Sequence, residues 1–218
     1  MNSSAHTSEF SIQRQRMVDS QLRARGVTDE RVLAAMSRVP REVFVPERYR
    51  GQAYEDHPLP IGDGQTISQP YIVALMLAAL TLAPNDNVLE VGTGSGYVTA
   101  LLAELTAQVL SVERHPAFAN AARELLAGMG YTNVKVVECD GSVGFRERAP
   151  YDAIIVSAAA PQMPQALIEQ LAEGGRMIIP VGADDSQQLQ LIVVEGGQPR
   201  ITLRELCRFV PLVSGARS

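Results

Sequence analysis

The chain is 218 residues long, 46% hydrophobic and 20% charged, which suits one α/β domain able to bury its own core. A net charge of −5 argues against nucleic acid as a main partner, and no apolar run reaches the roughly 18 residues of a membrane span. Two cysteines and three histidines make neither a disulfide framework nor a metal cluster, and the polar start MNSSAHTSEFSI shows no leader, so a metal-free protein of the cytoplasm, with no membrane partner, is expected.

Met1 to Phe10 is Ser-rich and is expected to stay disordered. The spacing of Ile12, Met17, Val18, Leu22, Val27, Val32 and Leu33 predicts two helices broken at Gly26, the second capped by Thr28. Pro40, Pro46, Pro58 and Pro60 then punctuate an irregular stretch, 39–66, too long for an ordinary connection and so expected to be a functional loop. Beyond it the spacing predicts helix 70–80, strand 87–91, helix 97–105, strand 108–112 and helix 116–128. Strands 134–138 and 153–157, helix 164–171 and strand 176–181 follow. Short apolar strands alternating with amphipathic helices predict βαβ units and a parallel sheet covered on both faces. Segments 189–195 and 201–209 flank Gly196-Gly197-Gln198-Pro199 and predict an antiparallel hairpin at the sheet edge. The expected fold is one α/β domain over 11–218, a doubly wound, mostly parallel Rossmann-like sheet. It divides into a helical and loop extension (11–69), a cofactor-binding core (70–186) and C-terminal antiparallel strands (187–218).

The sharpest motif is Val88-Leu89-Glu90-Val91-Gly92-Thr93-Gly94-Ser95-Gly96-Tyr97, a buried strand running through three glycines into a helix. Glycine serves where the backbone takes positive φ and where a ligand lies against bare main chain. The spacing lacks the last glycine of dinucleotide binders, and no Lys-Ser/Thr completes a phosphate loop. Glu113 follows 21 residues after Gly92 at the end of the next strand, where an acid can accept both hydroxyls of a ribose. Asp140-Gly141 ends the third strand and offers an adenine edge a carboxylate and bare backbone. Alone, each has a plainer reading: a tight turn, a solvated helix start, an Asx turn. Together, and without clustered positive charge, they favour a nucleoside cofactor without phosphates over a nicotinamide dinucleotide.

The glycine turn resembles motif I of the S-adenosylmethionine-dependent methyltransferases. The segment DHPLPIGDGQTISQP from Asp56 to Pro70, with Arg41-Glu42-Val43-Phe44-Val45-Pro46 and Arg208-Phe209-Val210-Pro211-Leu212, resembles the protein-L-isoaspartate O-methyltransferases. The resemblance runs from about Gln13 to Gly215 and departs from many bacterial members at Cys139 and Ser142, leaving Val143 or Phe145 to pack the cofactor's far side. It implies methyl transfer from S-adenosyl-L-methionine, leaving S-adenosyl-L-homocysteine, to the free α-carboxylate of isoaspartyl residues in damaged proteins and peptides; a monomer is expected. A peptide-tailoring or small-molecule carboxylate methyltransferase is the alternative. Cofactor contacts are implied at Thr66, Ile67, Tyr71, Glu90, Gly92, Thr93, Gly94, Ser95, Gly96, Glu113, Arg114, Asp140 and Gly141. Substrate contacts are implied at Ile61, Gln65, Ser68, Val210, Pro211 and Leu212, with Ser68 as the active-site residue. Its hydroxyl suits one neutral hydrogen bond to a carboxylate, and equally an N-cap ahead of Gln69-Pro70. The acceptor is already ionised at neutral pH, so no general base is expected, and His57 is read as a loop residue.

Overall fold

A computed structural model describes residues 3–183 and 186–215, with the backbone path alone for 3–8. Helix α1 (Ser3–Met17) reaches back into the polar stretch expected to be disordered; Met1 and Asn2 lie outside the described residues. The chain continues through a π-helical turn and a 3₁₀ turn to Gly26, which takes the left-handed conformation that ends the run. Helix α2 (Glu30–Arg38) starts at Asp29 rather than at the expected Thr28, because the Asp29 carboxylate accepts from the Arg31 and Val32 amides. The proline-punctuated stretch is more ordered than expected. Two 3₁₀ turns lead into a small antiparallel hairpin, β1 (Leu59–Gly62) and β2 (Gln65–Ile67).

The core repeats strand and helix: α3 (Pro70–Leu80), β3 (Asn87–Val91), α4 (Tyr97–Leu105), β4 (Gln108–Glu113), α5 (Pro116–Gly128), β5 (Val134–Glu138) and β6 (Tyr151–Val156). Five of these, α3, β3, α4, α5 and β5, match the sequence reading at both ends. Helix α6 (Gln165–Ile168) is shorter than the expected 164–171, and β7 (Leu171–Ala183) is longer than 176–181 because it takes over the helix's last residue. Strands β8 (Ser186–Glu195) and β9 (Gln198–Cys207) complete the seven-stranded order β5-β4-β3-β6-β7-β8-β9. The first five pair parallel; β8 and β9 are antiparallel. Strand β9 stops at Cys207, short of the expected Phe209.

Successive strand residues feed two cores, as a sheet covered on both faces requires. Val88, Val109, Ile155 and Ile178 face the helices α2 to α5, whereas Leu89, Val91, Ile154, Val156 and Met177 face α6. The chain runs outward from β3 to β5 and returns to β6 on the other side of β3. The junction of β3 and β6 is therefore the point where strand order reverses, and in open α/β sheets a ligand crevice opens at the carboxyl ends there.

Candidate active site

At that junction the backbone turns sharply. Gly92, Gly94 and Gly96 all have positive φ, at 95°, 51° and 87°. The Gly92 and Thr93 amides bond to the Val112 carbonyl of β4, and the Gly96 amide to the Thr93 carbonyl. A side chain on Gly94 would stand 3.6 Å from Ile61 of the β1–β2 hairpin, which folds over the turn. Gly96 has a different reason: a Cβ there would come within 3.4 Å of Ala122 on α5, so it permits helix packing and does not reach the cleft.

The turn floors a cleft of about 820 Å³. One wall is Ile61, Gln65, Thr66, Ile67 and Ser68; the floor is Glu90, Gly92, Thr93, Gly94 and Ser95. The other side is Glu113, Arg114, Gly141 and the tail Val210-Pro211-Leu212. These sixteen expected site residues come together. A second pocket of about 550 Å³ shares Thr66, Ser68, Ser157 and Val210 with the first, so Ser68 stands where the two meet.

Three expected site residues lie elsewhere. Gly96 is spent on packing, as above. Tyr71 faces away from the cleft: the Arg25 guanidinium lies over its ring at 3.4 Å and its hydroxyl donates to the Arg25 carbonyl. The Asp140 carboxylate is taken by backbone amides, from Ser142 at 2.9 Å and Gly215 at 2.7 Å, so it holds the tail in place. Burial would raise its pKa, but the bonds from Ser142 and Gly215 and the nearby Arg114 hold it below the ordinary carboxylate value. Of the two residues proposed to pack the far side, Phe145 joins the second core and Val143 stands 56% exposed. Cys139 is half-buried, and burial with the Asp140 charge raises its pKa, the state of an unreactive thiol.

Ser68 is held through its main chain. Its carbonyl accepts from Arg41 Nη2 at 2.7 Å, and Arg41 Nε donates to the Ala53 carbonyl at 2.7 Å. That guanidinium is fully buried, and burial lowers its pKa to about 10. Downstream, Gln69 and not Ser68 occupies the N-cap position of α3, and the Tyr71 amide there is satisfied from a distance by Asp56. Asp56 also takes both bonds from Gln69 Nε2. The capping role open to Ser68 is thus filled by others, and its hydroxyl makes no hydrogen bond among the described residues.

Two acids line the cleft. Glu113 accepts from the Gly94 amide (2.9 Å) through Oε2 and from the His115 amide (2.9 Å) through Oε1, leaving a lone pair on each oxygen for a further donor. Glu90 is fully buried; Oε2 accepts from Thr99 and Ser111 hydroxyls at 2.5 and 2.6 Å, while Oε1 has no partner. Burial raises its pKa to about 8 against the two hydroxyl bonds, and the Glu113 charge adds to the rise. Sequence reading missed Arg41 as a support, and missed Tyr97, Ser157, Ala158 and His115 as lining residues. Ser157 and Ala158 directly follow β6, so the strand-end rule would have found them.

A bare-backbone turn, two carboxyls and, among the described residues, Arg114 as the one lining Lys or Arg suit a cationic nucleoside better than a pyrophosphate. The family model for protein-L-isoaspartate(D-aspartate) O-methyltransferase (PCMT) matches residues 12–217. The chain belongs to that family. It is 54% identical over 213 residues to the protein-L-isoaspartate O-methyltransferase of Koribacter versatilis (strain Ellin345), covering 98% of this chain and 96% of that one. It is 56% identical over 202 residues to that of Methanoculleus marisnigri, covering 92% and 91%. Among solved structures it is similar to a beta-aspartate methyltransferase (PCMT) from Plasmodium falciparum in complex with S-adenosyl-L-homocysteine, with a TM-score of 0.80 and 28% identity over 92% of this chain and 98% of that chain.

Proposed function

We propose that this cleft transfers the methyl group of S-adenosyl-L-methionine to the free α-carboxylate of L-isoaspartyl residues in damaged proteins and peptides. The ester then collapses to a succinimide without help from the enzyme. The protein acts as a monomer in the cytoplasm. The observation that carries the reading is Ser68: an uncommitted hydroxyl, fixed through its main chain by buried Arg41, at the junction of the two pockets.

The cofactor, when bound, supplies a methyl group already activated on a sulfonium. Gly92 and Gly94 present it bare main chain, Glu113 keeps acceptor capacity for its sugar, and Glu90 places a carboxyl behind the floor. The acceptor carboxylate is ionised at neutral pH, so the protein need not remove a proton. What the chain does is align. Ser68 donates one neutral hydrogen bond to the carboxylate, orienting it without withdrawing as much charge as a paired arginine would, and near-attack placement at about 3–3.5 Å does the rest. His57, exposed and paired with Glu55 and the Pro58 carbonyl, takes no part.

Incorporation of labelled methyl into an isoaspartyl peptide, with its aspartyl twin as control, tests the reading. The isoaspartyl peptide is expected to be labelled and the twin not. Ser68→Ala is expected to lower kcat by more than tenfold while S-adenosyl-L-homocysteine binds as before. A kcat within about threefold of wild type, roughly 0.65 kcal/mol, would remove Ser68 from the mechanism.

A further inference from the structure

Strand β9 is the last of the seven, and among the described residues nothing pairs with its outer edge. Its sequence, QPRITLRELC, carries three large apolar side chains in the open: Ile201 is 50% exposed, Leu203 59% and Leu206 76%. Ile201 and Leu203 are two apart and share a face. Between Leu203 and Leu206 the register slips: β8 moves two residues, from Gln190 to Gln188, while β9 moves three. That bulge returns Leu206 to the face of the other two. The result is an apolar stripe about 16 Å long beside an edge that no strand pairs, with the Arg204 carbonyl at the bulge taken by Gln188 Nε2 at 2.9 Å.

The stripe leads into the active cleft. Leu206, Cys207, Arg208 and Phe209 line the second pocket, together with Ser68. A chain with one residue at Ser68 and its flank extended therefore has an unpaired strand edge directly in its path.

We propose that the outer edge of β9 is a docking rail for the substrate: an extended, apolar segment flanking the isoaspartyl residue adds to the sheet as a further strand and lays alternate side chains on Ile201, Leu203 and Leu206. The proposal rests on the activity proposed above. Unfolded segments offer free backbone groups and bare apolar side chains together, and folded ones do not, so the rail selects damaged, opened chains without reading their sequence. A second copy of the protein fits the edge less well. Pro199 and the bulge break the long straight pairing that a folded copy's edge needs, whereas a short flexible peptide can follow the bend.

The test uses isoaspartyl peptides sharing one core: a short one, one lengthened by alternating apolar residues on either flank, and one lengthened by polar residues. With wild-type protein the apolar extension on one flank is expected to lower KM about tenfold and leave kcat unchanged, while the polar extension does neither. In the double variant Ile201→Lys, Leu203→Lys, that advantage is expected to vanish while the short peptide is methylated as before, which also shows that the variant is folded. Equal KM for the apolar and polar extensions, or an advantage kept by the variant, would overturn the rail. So would a wild-type dimer in sedimentation that the variant dissolves, since the edge would then belong to a second copy. Failure to methylate even the short peptide would overturn the activity itself.

Discussion

Glu90→Gln isolates the energetics of the buried acid beneath the glycine turn. In the folded protein the Glu90 carboxyl titrates near 8, against an ordinary value of 4.5, because burial disfavours the charged form. An unfolded chain exposes the same group to water, so it loses its proton first as pH rises. Stability therefore falls from about pH 4.5 upward and stops falling above about pH 8. With 1.36 kcal/mol per unit, the penalty is about 2 kcal/mol at pH 6 and about 5 kcal/mol at pH 9. Glutamine keeps an acceptor for the Thr99 and Ser111 hydroxyls. Its amide protons take the place of the unpartnered Oε1, a cost that does not vary with pH. The stability of the variant relative to wild type is thus expected to improve by about 3 kcal/mol between pH 6 and pH 9. Urea unfolding at both pH values reads this directly, as a relative gain of about 1.5 M in midpoint for a slope near 2 kcal/mol/M. A difference between the two proteins that does not change with pH would refute the argument, since it would mean that Glu90 is ionised throughout or that it is solvated.

Gly141 lies against the ends of β3 and β4, where a Cβ would sit 2.6 Å from Val91 Cγ1 and 3.0 Å from Val112 Cγ2. Gly141→Ala is expected to cost about 1–3 kcal/mol by overpacking, read as a lower melting temperature. Arg41→Met leaves the Ala53 and Ser68 carbonyls without their donor, at about 1–3 kcal/mol each, and frees the Ser68 main chain. It is expected to lower both melting temperature and kcat, whereas Arg41→Lys, able to reach one carbonyl, falls between.

The part of the site legible in the sequence is the part that local rules govern. The glycine turn, Glu113 at the next strand end and Gly141 at the one after all line the cleft, because a strand's length and its end are set by residues close in the chain. Tyr71 and Asp140 hold the motif positions, but their side chains are engaged elsewhere: Arg25 covers one and the backbone amides of Ser142 and Gly215 hold the other. Arg25 stands 46 residues from Tyr71 and Gly215 75 from Asp140, beyond any local pattern, whereas Ser142, two residues on, makes the Asx turn that the sequence already offered. Arg41 shows the same limit. Nothing local marks an arginine in a proline-rich stretch as buried, and only the packed structure reveals a guanidinium with no exposure.

Alternation of short apolar strands with helices was enough to establish a parallel sheet covered on both faces, since hydrophobic periodicity is a property of consecutive residues. The lengths of β7 to β9, the order that leaves β9 at the edge, the shared boundary of the two pockets at Ser68 and the raised proton affinity of Glu90 came only from the tertiary structure. Each depends on which distant segments exclude water from a given group, and desolvation belongs to the folded assembly of neighbours, not to the residue or its position in the chain.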